Sequence, residues 1–517
     1  MDFKKSALGI EFGSTRIKAV LLDEDHNPVA SGGYEWENKL EDGIWTYSME
    51  DVHKGAQACF ASLSKDVKDK YGAELTEVGA IGISGMMHGY LPFDKDGRQL
   101  SKFRTWRNTI TGEAAEKLTE ELNFNIPQRW SVAHLYQEYL NGETYLGEID
   151  FMTTLAGYIH WKLTGERVMG VGEASGMFPI DSEKCDYDEE MVQKFNKLTG
   201  LDLRSIFPVV LPAGENAGVL TEEGARFLDP TGTLKAGIPL CPCEGDAGTG
   251  MAATNSVRVY TGNVSAGTSD FAMIVVDHQL GVYREVDMVT TPDGAAVAMV
   301  HCNNCTTDIN AWVNLFDEFC NLIGVQTDKG TLFTKLFESA LKGDYDAGGL
   351  LSFNYYSGEG VTDFDEGRPL FVRTPDAAFN LSNVMRMHLM SAMATLKIGM
   401  DLLIEKENVR IDKLYGHGGF FKTPEVGQRI LSAAIGTPVT VMETAGEGGA
   451  YGVALLAAYL IWKNEGESLP DYLDNRVFAG SEGSTVLADD DEINGYADFI
   501  KSYIRAIPLE RMAIETT

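Results

Sequence analysis

A carboxylate set among glycines is the first feature that could do chemistry. In Glu244-Gly245-Asp246-Ala247-Gly248, Asp246 sits on backbone slim enough to approach a substrate hydroxyl and accept its proton. The same composition also suits an aspartate that only shapes a turn. Met87 and His88 follow the apolar run 78–84, at what reads as the C-terminal end of a strand. Ligands of open α/β sheets gather at that edge, and His88 there could bond a polyol hydroxyl or simply serve the core. Trp106-Arg107-Asn108 adds an aromatic platform and a donor–acceptor amide, a pairing suited to sugar pockets.

Two short turns suit a second chemistry. Gly13-Ser14-Thr15 lies between apolar runs within 7–23, and Gly267-Thr268-Ser269 lies likewise within 265–277. Each offers backbone N–H groups and hydroxyls to a polyphosphate, with a glycine that lets the backbone come close. Laid end to end, Gly267 falls on Gly13, Thr268 on Ser14, Ser269 on Thr15 and Asp277 on Asp23. One such hairpin is a weak signal; two, half a chain apart, suggest a duplicated domain. A third glycine-rich stretch, Gly416-His417-Gly418-Gly419, follows a strand-like run and precedes a helix expected from about Thr423. It could accept a flat ring against bare backbone or be a plain strand-to-helix turn. No GxxxxGK[ST] occurs, and no GxGxxG follows the first strand, which disfavours P-loop and dinucleotide folds.

The elements that would position these residues alternate between strand and helix. Ser48-Met49-Glu50-Asp51 resembles a capping box opening a helix to about Tyr71. Helices are expected over 111–122 and 153–164, short strands over 207–242, and one long Met-rich core helix over 383–405. The expected division is 1–254 and 255–517, with no low-complexity linker between closely packed halves.

The totals exclude whole classes of function. In 517 residues, 44% are hydrophobic and the net charge is −33; real cores are expected, and neither nucleic acid nor an anionic membrane is an expected partner. Seven cysteines, an odd number, do not suggest a disulfide framework. Cys241/Cys243 and Cys302/Cys305 allow a zinc reading, but their spacing favours ordinary buried thiols. With no apolar leader before the first strand, a cytoplasmic protein is expected.

Together these pieces resemble the FGGY carbohydrate kinases of the actin/hexokinase/Hsp70 ATPase superfamily. GIEFGSTRIKAVLLD is similar to the family's first phosphate motif, SAGTSD to the second, GHGGFFK to the adenosine motif, and EGDAGTG to the loop holding the catalytic aspartate. LTGE at 163–166, ASG at 174–176, PAGENAGVLTEEGA at 212–225 and GEGGAYGVALLAA at 446–458 follow in family order. ISGMMHG at 83–89 most resembles the xylulokinase branch.

The resemblance implies an α/β fold of two ribonuclease-H-like (actin-like) domains with an interdomain catalytic cleft. It implies ATP held by Gly13, Ser14, Thr15, Lys18, Gly267, Thr268, Ser269, Gly418, Gly419 and Phe420. It implies sugar near Met87 and His88, with Asp246 as general base, beside the Trp106, Arg107 and Asn108 that their own chemistry suggests. It implies Mg²⁺ at Glu11 and Asp246, cleft closure on sugar, and a homodimer as a family-level expectation. The expected function is phosphorylation of a small sugar, a pentulose such as xylulose or a related ketose. A catalytically weak sugar sensor and an actin/Hsp70-like ATPase are the alternatives. Glu11 stands where the family carries aspartate, and Ala247 where it carries Asn or Gln. Lys397 lies in the helix where the family usually has a glutamate.

Overall fold

The computed structural model describes residues 2–442, 448–481 and 483–517. The first hairpin forms as expected: β1 (Ala7–Phe12) and β2 (Arg16–Leu22) pair antiparallel and β3 (Pro28–Glu35) extends them. Ser48 caps helix α1 (Met49–Tyr71) by accepting the Asp51 N–H, and Gly72 ends it in the left-handed region. β4 (Ala80–Gly85) then adds to β1 in parallel, and the two-residue β5 (Glu244–Gly245) adds to β4. The sheet therefore runs β5-β4-β1-β2-β3. Ala7, Leu8, Ile10 and Phe12 have no exposed surface, each larger side chain contributing roughly 1.5–3 kcal/mol by burial.

Asp246 does not lie on a loop. It is the first residue of helix α2 (Asp246–Ala253), with Gly245 extended before it. An acidic residue there faces the positive end of the helix dipole. The expected final helix is α3 (Gly448–Trp462), whose buried residues run from Gly449 to Tyr459; Gly446 and Glu447 of that motif lie outside the described residues. Although α3 follows the second half in sequence, it packs on β1, β4 and α2. A division at 254/255 assigns α3 to the second half, whereas its packing joins it to the first sheet. Glycines make this possible: a Cβ at Gly9 would meet the Ala450 carbonyl, one at Gly82 the Val453 carbonyl, and one at Gly452 the Thr249 carbonyl.

The second half repeats the plan. β6 (Thr261–Ala266) and β7 (Asp270–Val275) form the second hairpin, followed by β8 (Val286–Thr290), β9 (Ala296–Cys302), β10 (Lys413–His417), β11 (Val439–Met442) and β12 (Gly483–Val486). Their order is β8-β9-β7-β6-β10-β11-β12. Strands β9-β7-β6-β10-β11 match β3-β2-β1-β4-β5 in order and in every parallel or antiparallel sense. β8 and β12 are additional edge strands.

The two hairpins differ by one residue. Phe12 faces Ile17 across the first, whereas Ala266 faces Asp270 across the second. Thr268 alone tips the second turn, closed by Gly267 N–H to Ser269 O at 2.9 Å. A one-residue change in register exchanges faces, so Asp270 is buried although the end-to-end alignment lays it on exposed Arg16.

Other expectations need adjustment. The Met-rich helix is two, Leu381–Ala392 and Ala394–Asp401, bent by 42°. Met393, with φ −102° and ψ 2°, leaves helical geometry at the bend, while Met385, Met387, Met390 and Met400 serve the core as expected. Helix Glu222–Leu228 interrupts the stretch expected to hold short strands. The helix after the third glycine-rich segment begins at Val426, following a short 3₁₀ turn, Gly419–Phe421. Among the described residues no single helix is long and apolar enough to cross a membrane. The four paired cysteines are buried and free, with thiols pushed up by burial.

If close packing of α3 fixes α2, Gly452→Ala should cost about 1–3 kcal/mol through overpacking and lower the thermal midpoint; an unchanged midpoint would contradict that dependence. A second prediction concerns Glu359, which backs the second hairpin. Its Oε2 accepts from the Asn303 and Asn304 amides, while Oε1 has no partner among the described residues. Burial raises its carboxyl from 4.5 to about 7. The folded chain then binds more protons than the unfolded one within that window, so stability falls as pH rises through it. Glu359→Gln should be more stable than the parent by about 3 kcal/mol at about pH 8, and equal to it near about pH 4. Chemical denaturation at the two pH values would show the difference.

Candidate active site

The parallel strands of each sheet end at one edge, and the two edges face one cavity of about 420 Å³. Glu11, Ser14, Met87, His88, Trp106 and Asp246 line it from the first half; Asn263, Ser265, Ser269, Phe271, His301 and His417 line it from the second. Local packing fixes each wall. Trp36 Nε1 donates to the Gly13 carbonyl at 2.7 Å and the Tyr47 hydroxyl donates to the Ser14 carbonyl, with the two rings stacked 4.2 Å apart. The second turn is held by Thr306, whose hydroxyl donates to the Gly267 carbonyl at 2.6 Å, and by the Cys305 N–H on the Thr268 carbonyl at 2.9 Å.

Asp246 Oδ1 accepts the Met87 N–H at 3.1 Å, which ties the end of β4 to the start of α2. Enclosure in the cleft raises its carboxyl, against the opposing pull of the Met87 and Ala247 amides. Glu11 is raised to about 7, first by enclosure and then by the charge of Asp246. The extra methylene of glutamate has a visible use: its Oε2 accepts the Ala450 N–H at 3.1 Å, at the start of α3. Behind Asp246, Glu244 accepts the Gly172 and Glu173 amides at 3.2 and 2.8 Å, and burial raises it to about 8.

A second cavity, about 530 Å³, adjoins the second turn. Gly267, Thr268 and Gly419 line it together with Phe333, Phe337 and Asn310. It brings the second phosphate-like turn and the third glycine-rich segment together, and Gly419 leaves open space where a side chain would stand. Gly418, at φ 100°, lies against the Ala266 carbonyl, where a Cβ would clash. A cavity walled by both hydroxyl-bearing turns, beside an aromatic-walled one that shares the second turn, suits a polyol beside the phosphates of a nucleotide.

Not every expected residue faces these cavities. Phe420 is fully buried behind the second, in edge contact with Phe337. The Asn108 amide is taken up by Trp45 and Thr105 backbone groups, so it shapes a loop. Arg107 stacks on Trp45 at 4.0 Å. Trp106 does reach the cavity, donating to Ser14 Oγ at 3.0 Å. Gly13 and Thr15 flank Ser14 in the first turn, and Lys18 stands across the β1–β2 ladder from Glu11. Sequence reasoning missed Arg129, Asn263, His301 and the acids Glu173 and Glu244. Glu173, Glu244, Asn263 and His301 adjoin segments singled out for other reasons, whereas Arg129 lies near none of them.

Comparison with known proteins agrees with this geometry. Residues 6–252 match the N-terminal domain of the FGGY family of carbohydrate kinases, and residues 262–461 match its C-terminal domain. A xylulose kinase of Haemophilus influenzae is 22% identical, over 96% of this chain and 98% of its own. Two structures from Lactobacillus acidophilus superpose with TM-scores of 0.79 at 15% identity: a ligand-bound xylulose kinase, covering 99% of both chains, and a gluconate kinase, covering 98% of both. The duplicated sheets, the shared cleft and two family domains spanning most of the sequence together make this chain a member of the FGGY family of carbohydrate kinases.

Proposed function

We propose that this carbohydrate kinase transfers the γ-phosphoryl group of ATP to a hydroxyl of a pentulose such as xylulose, or of a related ketose. The observation that carries the reading is Asp246, at the start of α2 and opposite both hydroxyl turns. The xylulose kinases among the similar proteins support the ketose class. Asp246 takes the proton of the attacking hydroxyl as its oxygen bonds phosphorus and ADP leaves in line. The amides and hydroxyls of 13–15 and 267–269 hold phosphate oxygens, and the Gly419 cavity takes the base. A divalent ion fits Glu11 and Asp246. Among the described residues no three His, Cys, Asp or Glu side chains cluster, but Mg²⁺ is commonly held by one or two carboxylates plus phosphates. Two enclosed acids, both raised by burial and Glu11 raised further by the charge of Asp246, match that need. Magnesium there would supply charge neutralisation for the phosphates.

A coupled ADP-release assay against ketoses, polyols and aldonates, with a no-sugar blank, tests the reading. Release that depends on a ketose is expected; release indifferent to sugar would indicate an ATPase. Asp246→Asn should lower kcat by about 10²–10⁴-fold while ATP still binds. Loss of ATP binding in that variant would leave Asp246 a structural or metal-holding residue and remove its role as general base. The proposed halves, 1–254 and 255–517, should draw together over the sugar, and small-angle scattering should show compaction with sugar and a non-hydrolysable nucleotide.

A further inference from the structure

Arg129 enters the cavity from the first half, where the two halves meet. Its Nε donates to His88 Nε2 at 3.1 Å, and its guanidinium pairs with Asp287 on β8 of the second sheet. Asp287 is held in turn by Asn125, whose amide donates to Oδ1 at 2.9 Å and to the Val286 carbonyl at 3.0 Å. On its other side, His88 Nδ1 lies 3.1 Å from the Gly176 carbonyl.

These contacts fix the state of the histidine. A carbonyl only accepts, so Nδ1 carries the hydrogen; the Arg129 Nε–H only donates, so Nε2 is the bare acceptor. Burial and the neighbouring guanidinium both hold His88 neutral. Both ring nitrogens are thereby engaged within the protein, and the hydrogen-bonding role expected of His88 toward sugar falls to its neighbour. A guanidinium has five N–H donors, and His88 and Asp287 do not use them all. The Arg129 side chain is 24% exposed, whereas that of Asp287 is 9% exposed.

Charge adds a second constraint. Arg129 is the one cation among the described residues lining the cavity, and Asp287 is in contact with it. His301 and His417 are held down to about 4 by burial, so neither offers positive charge near neutral pH. A sugar carboxylate would enter beside Glu11 and Asp246, where Arg129, already paired with Asp287, is the one cation among the described residues lining the cavity.

We propose, building on the kinase reading, that Arg129 is the donor that grips substrate hydroxyls. Asp287 is a positioning residue that aims Arg129 and cancels its charge, so the site selects uncharged ketoses or polyols over aldonates. Because Arg129 comes from a turn of the first half and Asp287 from β8 of the second, this selection is complete only when the cleft is closed.

Steady-state kinetics on the intact chain with MgATP and D-xylulose, D-ribulose, glycerol and D-gluconate test the proposal. Arg129→Met should raise KM for the best neutral substrate about 10- to 100-fold, with KM for ATP moving less than about threefold. Asp287→Asn retains the acceptor for Asn125 but frees the guanidinium charge, and should raise the gluconate-to-ketose ratio of kcat/KM by about tenfold or more. A sugar KM within about twofold of the parent in Arg129→Met, an unchanged ratio in Asp287→Asn, or a parent enzyme that prefers gluconate would each overturn the proposal and leave the kinase reading standing. A parent enzyme that phosphorylates none of the four would overturn both. Should Arg129→Met fail to fold by circular dichroism, Arg129→Lys provides the same readout, since lysine keeps the charge but lacks the fork that spans His88 and Asp287.

Discussion

Glu11 and Asp246 face the same enclosed space, and enclosure favours the protonated form of both, with the charge of Asp246 raising Glu11 further. Carboxylates so placed need donors at fixed positions, and the chain supplies them from its own backbone. Met87 donates to Asp246 from the end of β4, and Ala450 donates to Glu11 from the start of α3. Each bond joins elements far apart in sequence, so the acids can be held only if β1, β4, α2 and α3 lie in register. The glycines at 9, 82 and 452 permit that registry by letting backbone meet backbone.

Duplication gives the cleft its two walls without making them equal. The five-strand plan is common to both sheets, and each brings a hydroxyl-bearing turn to the shared edge. Losing one residue from the second turn buries Asp270 and leaves its carboxylate near Glu359, in a region where burial raises both. The first wall carries the cavity-lining acids and the aromatic braces Trp36 and Tyr47; the second carries neutral histidines and Asn263. Chemistry that needs a base on one side and phosphate donors on both is served by this asymmetry.

Specific polar contacts cross the cleft. Arg129 and Asn125 reach Asp287, Thr290 N–H donates to Ser175 Oγ at 3.1 Å, and the Ala213 N–H donates to the Pro292 carbonyl at 2.7 Å. Apolar packing joins the halves as well: Met273, Val275, Val289, Val297 and Met299 of the second half belong to the same buried cluster as the first half's core.

The sequence by itself determined the two hairpins, the capped helix at Ser48 and the buried strand before Met87, because each is written in local terms: alternation, capping residues and glycine at turns. Ordered motifs along most of the chain were enough to identify the family. Tertiary structure alone decided which residues share the cavity. Nothing near Arg129 in sequence announces His88 or Asp287, and Asn108 and Phe420 carry suitable chemistry yet are turned into a loop and a core. The return of α3 to the first sheet, the break at Met393 and the inward turn of Asp270 also depend on packing and register between distant segments. Such contacts follow from which surfaces exclude water together, and local pattern holds no record of that.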